Sequence, residues 1–293
     1  PIACELIWGL IGDNLASFET NLDRLFAVFP TINIFGYTLL PGTEFYDKRE
    51  EYQIETLPVA GYGKAKGEYV VGCMSFPIEE GLEGYFLITA HLLMSRGYMM
   101  PLTLRYLALS EAVPVAGMMR SMLHALCAEF SEEIPGLNAA DKMGVYEFRE
   151  ELFVTSFTYP ERTYQCVQRL ALQWIEDHMD NKLEAASLKH RVTQLLELDQ
   201  AFAPHTGATR DITAHFTFDA DKVMDTLEGM DLPAAALFAD QPTEIGIHIP
   251  GGVGDIIKDP DGGVWIHAER STSKDEHAAK LQPVTVQALA LPA

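Results

Sequence analysis

The residues able to do chemistry in this 293-residue chain are few and scattered. Four cysteines, Cys4, Cys73, Cys127 and Cys166, stand far apart, with no Cys-x-x-Cys and no Cys-x-x-x-Cys-x-x-Cys run. That spacing suits neither a zinc ribbon nor a disulfide framework, and each thiol reads as a small core hydrophobe. The nine histidines are dispersed and none lies in an HExxH pattern. His215 and His248 are the two that would approach each other if the strands around them paired. The acid pairs Glu50-Glu51, Glu132-Glu133 and Glu150-Glu151 read as solvated surface. Glycine-bearing turns offer more. In Gly9-Leu10-Ile11-Gly12-Asp13-Asn14 and Pro41-Gly42-Thr43, small residues let backbone groups approach a flat ring while apolar neighbours enclose it. The same glycines serve equally well as plain tight turns. A third run, His248-Ile249-Pro250-Gly251-Gly252-Val253-Gly254-Asp255, is an amide-rich candidate nest for an anion. It lacks the lysine of a phosphate loop and the GxGxxG spacing, so a hairpin connection is the simpler reading.

The elements that must position these turns follow from periodicity. Residues 2 to 8 read as a strand. Leu15, Phe18, Leu22, Leu25, Phe26 and Phe29 then fall on one helical face. Asn14 or Asp13 can cap that helix and Pro30 stops it. A second strand is expected over residues 32 to 40 and a further helix over 44 to 52. Strand, helix, strand in this order is a βαβ unit, with a parallel sheet and a right-handed crossover. Ligands of such sheets sit at the carboxyl ends of the strands, which here carry the first two turns.

Residues 53 to 78 look irregular, with Gly61-Tyr62-Gly63 and one short strand at 68 to 73. Residues 78 to 127 read as helical, punctuated by Gly97, Pro101 and Pro114, with Tyr85, Phe86, Tyr98 and Tyr106 in the core. A loop spans 131 to 137. Two helices separated by Tyr159-Pro160 are expected over 142 to 200. Past Pro204 the texture is that of a small α+β module. Strands are expected at 212 to 218, 244 to 249, 264 to 268 and 284 to 289, with a short helix between Asp219 and Gly229 and a turn at Asp259-Pro260-Asp261-Gly262-Gly263. The chain thus divides at 1–56, 57–130, 131–203 and 204–293.

A formal charge of −21 repels phosphate backbones and anionic bilayers, which argues against nucleic-acid and membrane partners. No apolar run reaches the roughly 18 residues of a membrane span, and no secretory leader is visible, so a cytoplasmic location is expected. The chain opens at Pro1 directly into strand-like residues, which gives the expectation of a truncated polypeptide.

The stretch from Glu5 through Trp8-Gly9-Leu10-Ile11-Gly12-Asp13-Asn14 to Ser17-Phe18, followed by Leu39-Leu40-Pro41-Gly42-Thr43 and Arg49-Glu50-Glu51-Tyr52, resembles the last βα units of radical S-adenosylmethionine enzymes of the cobalamin-binding group. Ile11, Asp13 and Asn14 stand where that family usually has proline, glutamate and threonine. The likeness continues loosely through Tyr69 and from Arg96-Gly97 to Tyr106 and ends near residue 130. It implies an α/β fold, the C-terminal part of a partial TIM-like barrel followed by helices and a small α+β module. It also implies that Trp8, Gly9, Leu10, Gly12, Tyr37, Thr38, Leu39 and Leu40 lie around the adenine of S-adenosylmethionine. The family's 4Fe-4S cluster needs a CxxxCxxC loop, which these residues lack. The implied partners are therefore a missing N-terminal portion of the same polypeptide and a small-molecule substrate, with cobalamin as a further cofactor of the group. The intact enzyme would carry out radical methyl transfer or rearrangement, and this chain alone would be inactive. Two other readings stay open at this stage: a scaffold that keeps a partial barrel without a cluster, and an unrelated α/β enzyme working at the distal glycine-rich run.

Overall fold

Two strands and one amphipathic helix open the chain, as their periodicity requires. The computed structural model describes residues 3–58, 67–96, 99–110, 113–249 and 252, together with the backbone of 264–265, 269–271 and 287–288. Strand β1 (Ala3–Trp8) leads into α1 (Leu15–Phe26), whose first turn is capped by Asn14: its side-chain oxygen accepts from the Ser17 amide at 2.9 Å. Strand β2 (Thr31–Gly36) returns parallel to β1, with Ala3 opposite Thr31 and Trp8 opposite Gly36. Even-numbered side chains share the face that meets the helices. Trp8, Ile32 and Ile34 are buried there, and the Trp8 ring lies 4.8 Å from that of Phe18 on α1. Odd-numbered Glu5, Ile7, Asn33 and Phe35 share the other face, where Ile7 is 44% and Phe35 37% exposed.

The second strand does not run on to residue 40. At Tyr37 the chain changes partners: its amide donates to the Trp8 carbonyl at 2.7 Å, and its carbonyl accepts from the Val70 amide at 3.1 Å. Strand β3 (Thr38–Leu39) then joins an antiparallel sheet in the order β3-β5-β4, formed with β4 (Glu55–Pro58) and β5 (Glu68–Gly72). The hydrogen-bonding edge of β5 therefore takes over where β1 ends. Helix α2 (Glu44–Asp47), capped by Thr43, is shorter than its pattern suggests. Arg49 leaves the helix to bond Glu68 at 3.1 Å and Thr56 at 3.3 Å.

The helical body begins with α3 (Ile78–His91), which runs into a π-helical turn at Leu92–Arg96. Helices α4 (Pro101–Ser110) and α5 (Val115–Glu129) follow, started by the prolines expected to punctuate them. Neither starts with a side-chain cap of its own. Asp199 supplies one for α4, accepting from the Leu102 and Thr103 amides at 2.9 and 3.0 Å. Asp23 of α1 does so for α5, accepting from Ala116 at 2.8 Å. Glu80 of α3 returns the favour to α1 at the Leu15 amide, 3.1 Å away. Each carboxylate meets a positive helix end across a packed interface, so caps and packing depend on one another. Asp23→Ala is expected to cost about 1–2 kcal/mol, read as a lower urea midpoint with unchanged slope; an unmoved midpoint would deny the cap.

Residues 142 to 201 form four helices rather than the two expected. They are α6 (Lys142–Glu147), α7 (Arg149–Thr158), α8 (Pro160–His178) and α9 (Lys182–Ala201), with Asp141 capping α6 and Asn181 capping α9. The distal module holds β6 (Arg210–Phe216), α10 (Ala220–Glu228) capped by Asp219 and closed at Gly229, and β7 (Thr243–Ile249). Short strands β8 (Val264–Trp265), β9 (Glu269–Ser271) and β10 (Gln287–Ala288) complete it, with β6-β7-β9 in one antiparallel sheet and β8 paired to β10. Arg105 of α4 joins the ends of the chain, donating to the carbonyls of Pro30 at 2.8 Å and Leu227 at 3.3 Å. The chain is a mixed α/β protein, predominantly helical, whose small sheets do not close into a barrel among the described residues. No described helix is long and apolar enough to cross a membrane.

Candidate functional site

The first turn is built around two left-handed glycines and one aspartate. Gly9 (φ +101°) and Gly12 (φ +102°) occupy backbone that a side chain would strain. Between them the chain folds back far enough for the Asp13 carboxylate to accept from the amides of Gly9 at 3.0 Å and Leu10 at 2.8 Å. The Asp13 amide in turn reaches the Leu10 carbonyl at 3.0 Å. Gly12 donates to the Ser75 hydroxyl at 2.9 Å, and the Leu15 amide is held by Glu80. The donors that would greet an anion are therefore already bonded, and two carboxylates stand at the helix start. A phosphate would meet repulsion here. A neutral, flat, apolar group suits the turn better, and an added Cβ at Gly12 would meet nothing within 4 Å.

The second strand end comes beside the first. A Cβ on Gly9 would lie 3.5 Å from that of Tyr37 and 3.4 Å from the Val70 carbonyl. Tyr37 is half-buried and edge-on to Phe45 at 5.9 Å. Burial pushes its phenol up, partly offset by a hydrogen bond with Thr43. Of the eight residues named from the sequence, Trp8 and Leu39 are fully buried in the core, with the Trp8 indole donating to the Gly81 carbonyl at 3.0 Å. Gly9 and Tyr37 are neighbours, Leu10 and Thr38 are half-buried, and Gly12 and Leu40 face outward, Leu40 being 45% exposed. The turn after Leu40 is closed by Thr43, whose hydroxyl donates to the Leu40 carbonyl at 2.8 Å.

Sequence reasoning did not single out Ser75 and Glu80, because both arrive from the other side of the β3-β5-β4 sheet's connection to α3. Asp13 was visible only as a helix cap; its role in filling the turn needs the positive φ of both glycines. Nor do the distal histidines meet. Strands β6 and β7 pair in a register that sets His215 opposite Glu244 and His248 opposite Asp211. His248 Nδ1 lies 2.7 Å from Asp211, and His215 Nδ1 lies 3.5 Å from Glu244. Of the glycine-rich run, Gly252 is described, with φ +76° and its amide on the Gly207 carbonyl at 2.8 Å. The rest of that run after Ile249 lies outside the described residues, as do Gly61-Tyr62-Gly63, Gly97, Tyr98 and the turn at 259–263.

The cysteines do not fit a metal cluster. Cys73, Cys127 and Cys166 are buried apart, and burial pushes the Cys127 thiol up to about 12 and raises that of Cys166. Among the described residues no three His, Cys, Asp or Glu side chains gather where they could hold a metal ion. An open hollow beside α2 is lined by charged residues already engaged, Lys48 with Glu44 and Arg49 with Glu68. No protein-family model matches this chain, and no curated protein matches it either.

Proposed function

We propose that this chain is the C-terminal part of a radical S-adenosylmethionine enzyme of the cobalamin-binding group, supplying two βα units of a partial TIM-like barrel and the accessory regions that follow. The observation that carries this reading is the side-by-side parallel pairing of β1 and β2, joined by α1, with the Gly9–Gly12 turn and Tyr37 adjacent at their carboxyl ends. That is where sheets and barrels of this construction hold ligands. The chemistry of the turn agrees: its amides are satisfied internally, so what it offers is close backbone approach and apolar side chains, as an adenine ring requires. Leu10, Tyr37 and Leu40 would supply that contact, with Gly9 and Gly12 giving the space.

Bound S-adenosylmethionine and a 4Fe-4S cluster would supply the radical chemistry in the full-length polypeptide. The cluster ligands would come from residues outside this sequence, since its four cysteines are dispersed. This chain's part is then to hold the nucleoside end and to exclude water around it. The substrate is a small molecule, and the overall reaction a methyl transfer or rearrangement at an unactivated carbon.

The test is reconstitution. The polypeptide encoded by the complete reading frame, loaded anaerobically with iron and sulfide, is expected to show the charge-transfer absorption of a 4Fe-4S cluster and to form 5′-deoxyadenosine from S-adenosylmethionine on reduction. The 293-residue chain treated alike should show neither. A complete reading frame with no CxxxCxxC run, or a full-length protein that takes up no cluster, would end the proposal in favour of a non-catalytic scaffold.

A further inference from the structure

We propose that the face of β1 and β2 turned away from the helices is the wall of an enclosed ligand chamber, with Glu5 and Asn33 as its polar level and Ile7 and Phe35 as an apolar collar nearer the turns. The inference rests on the reading above and deepens it by naming the side chains that meet the ligand and the chemistry they select. The argument starts from parity. Cys4, Leu6 and Trp8 of β1 and Ile32 and Ile34 of β2 share the face on which α1 and α3 pack. Trp8 touches Phe18 and lies so close over α3 that a Cβ on Gly84 would sit 2.1 Å from its ring. The odd-numbered residues face the other way, and the register places Glu5 directly opposite Asn33 and Ile7 directly opposite Phe35.

The second face of a parallel sheet has two usual fates. Under another layer of helices it is an almost unbroken apolar surface. Inside a barrel it lines the space in which ligands are held. The composition of this face decides between them. A carboxylate and a carboxamide stand side by side at mid-strand, and neither side chain makes a hydrogen bond or ion pair with any described residue. A helix laid across them would bury Glu5 without a partner. A second copy of the chain would bring another Glu5 and a further −21 of charge toward the first. A small molecule satisfies both levels. Its hydroxyl or ammonium hydrogens would be accepted by Glu5 and Asn33, while a flat or apolar part rests between Ile7 and Phe35. Either the nucleoside cosubstrate or the substrate proper can present that chemistry.

Size-resolved thiol labelling tests this. Ile7→Cys and Phe35→Cys, each made singly in the full-length polypeptide, replace exposed side chains and leave the helix-facing packing alone; Leu6→Cys serves as the buried comparison, and the parent protein gives the background from Cys4. A small maleimide is expected to label positions 7 and 35, and a maleimide carried on a bulky polymer to label neither. In the 293-residue chain both reagents should react at both positions. S-adenosylmethionine that slows the small reagent assigns the chamber to the cosubstrate; unchanged labelling in its presence assigns it to the substrate. Equal labelling by both reagents in the full-length protein would mean an open face, and labelling by neither would mean a helical layer or a second copy; either overturns the inference. The readout needs no cluster, so its failure is distinguishable from a failure of reconstitution.

Discussion

Asp199→Asn is expected to remove a loss of stability that the parent chain suffers as pH rises between 3.8 and about 7. Asp199 is 1% exposed, and burial pushes its carboxyl up to about 7. The Thr103 hydroxyl, the Leu102 and Thr103 amides and the charge of Arg105 pull the other way without cancelling that rise. In this window the folded chain keeps a proton that the unfolded chain has released, so raising the pH favours unfolding, by an upper bound of about 4 kcal/mol. Urea unfolding at pH 5 and pH 8 should show the parent weaker at pH 8, with the pH dependence of Asp199→Asn much flatter. Asp199→Ala is expected to lose about 3 kcal/mol at pH 5, where it strands the amides that start α4 and the Thr103 hydroxyl. At pH 8 its loss should be smaller, because the parent then carries a buried charge. Parallel pH profiles for parent and Asp199→Asn would show that this carboxyl titrates alike in both states.

What the sequence made legible was local. The helical face from Leu15 to Phe26, the cap at Asn14, the starts at Pro101 and Pro114 and the Asp219-to-Gly229 helix are all short-range signals, and each element is present. The parallel pairing of β1 with β2 follows from one strand–helix–strand unit. What was not legible depends on residues distant in sequence. Tyr37 gives no sign of a break; the strand divides there because β5 offers its amide at Val70. Phe148, between α6 and α7, is neither proline nor glycine, so two helices looked like one. The caps given by Asp23, Glu80 and Asp199 sit outside the segments they cap. In the candidate site the glycines were visible, but the filling of their amides by Asp13 was not. The parity of the strands was readable in principle, since Glu5 interrupts an apolar run, but which face met the helices required the position of Trp8.

Gly81→Ala is expected to be the most damaging single methyl in the chain, with a loss of about 3 kcal/mol or more. A Cβ at Gly81 would lie 1.7 Å from the Val71 carbonyl oxygen and 2.5 Å from its carbon. Both are backbone atoms of a buried strand, so no rotamer change can make room. Helix α3 would have to lift from β5, against which alanine's better helix propensity offers only about 1 kcal/mol. Gly84→Ala meets the Trp8 indole instead, at 2.1 Å, and the indole is wedged between Phe18 and Phe76 at 4.8 and 5.1 Å. A side chain can yield where backbone cannot, so about 2 kcal/mol is expected there. Gly12→Ala meets no atom and bears only the strain of φ +102°, which sets it at about 1 kcal/mol. Urea midpoints should fall in the order Gly12, Gly84, Gly81, with a red-shifted Trp8 emission marking the lifting of α3. A Gly81→Ala protein as stable as its parent would mean that α3 and β5 are not in contact. It would also loosen the site, because Glu80 and the Trp8 bond to Gly81 reach the turn and strand β1 only through that seating.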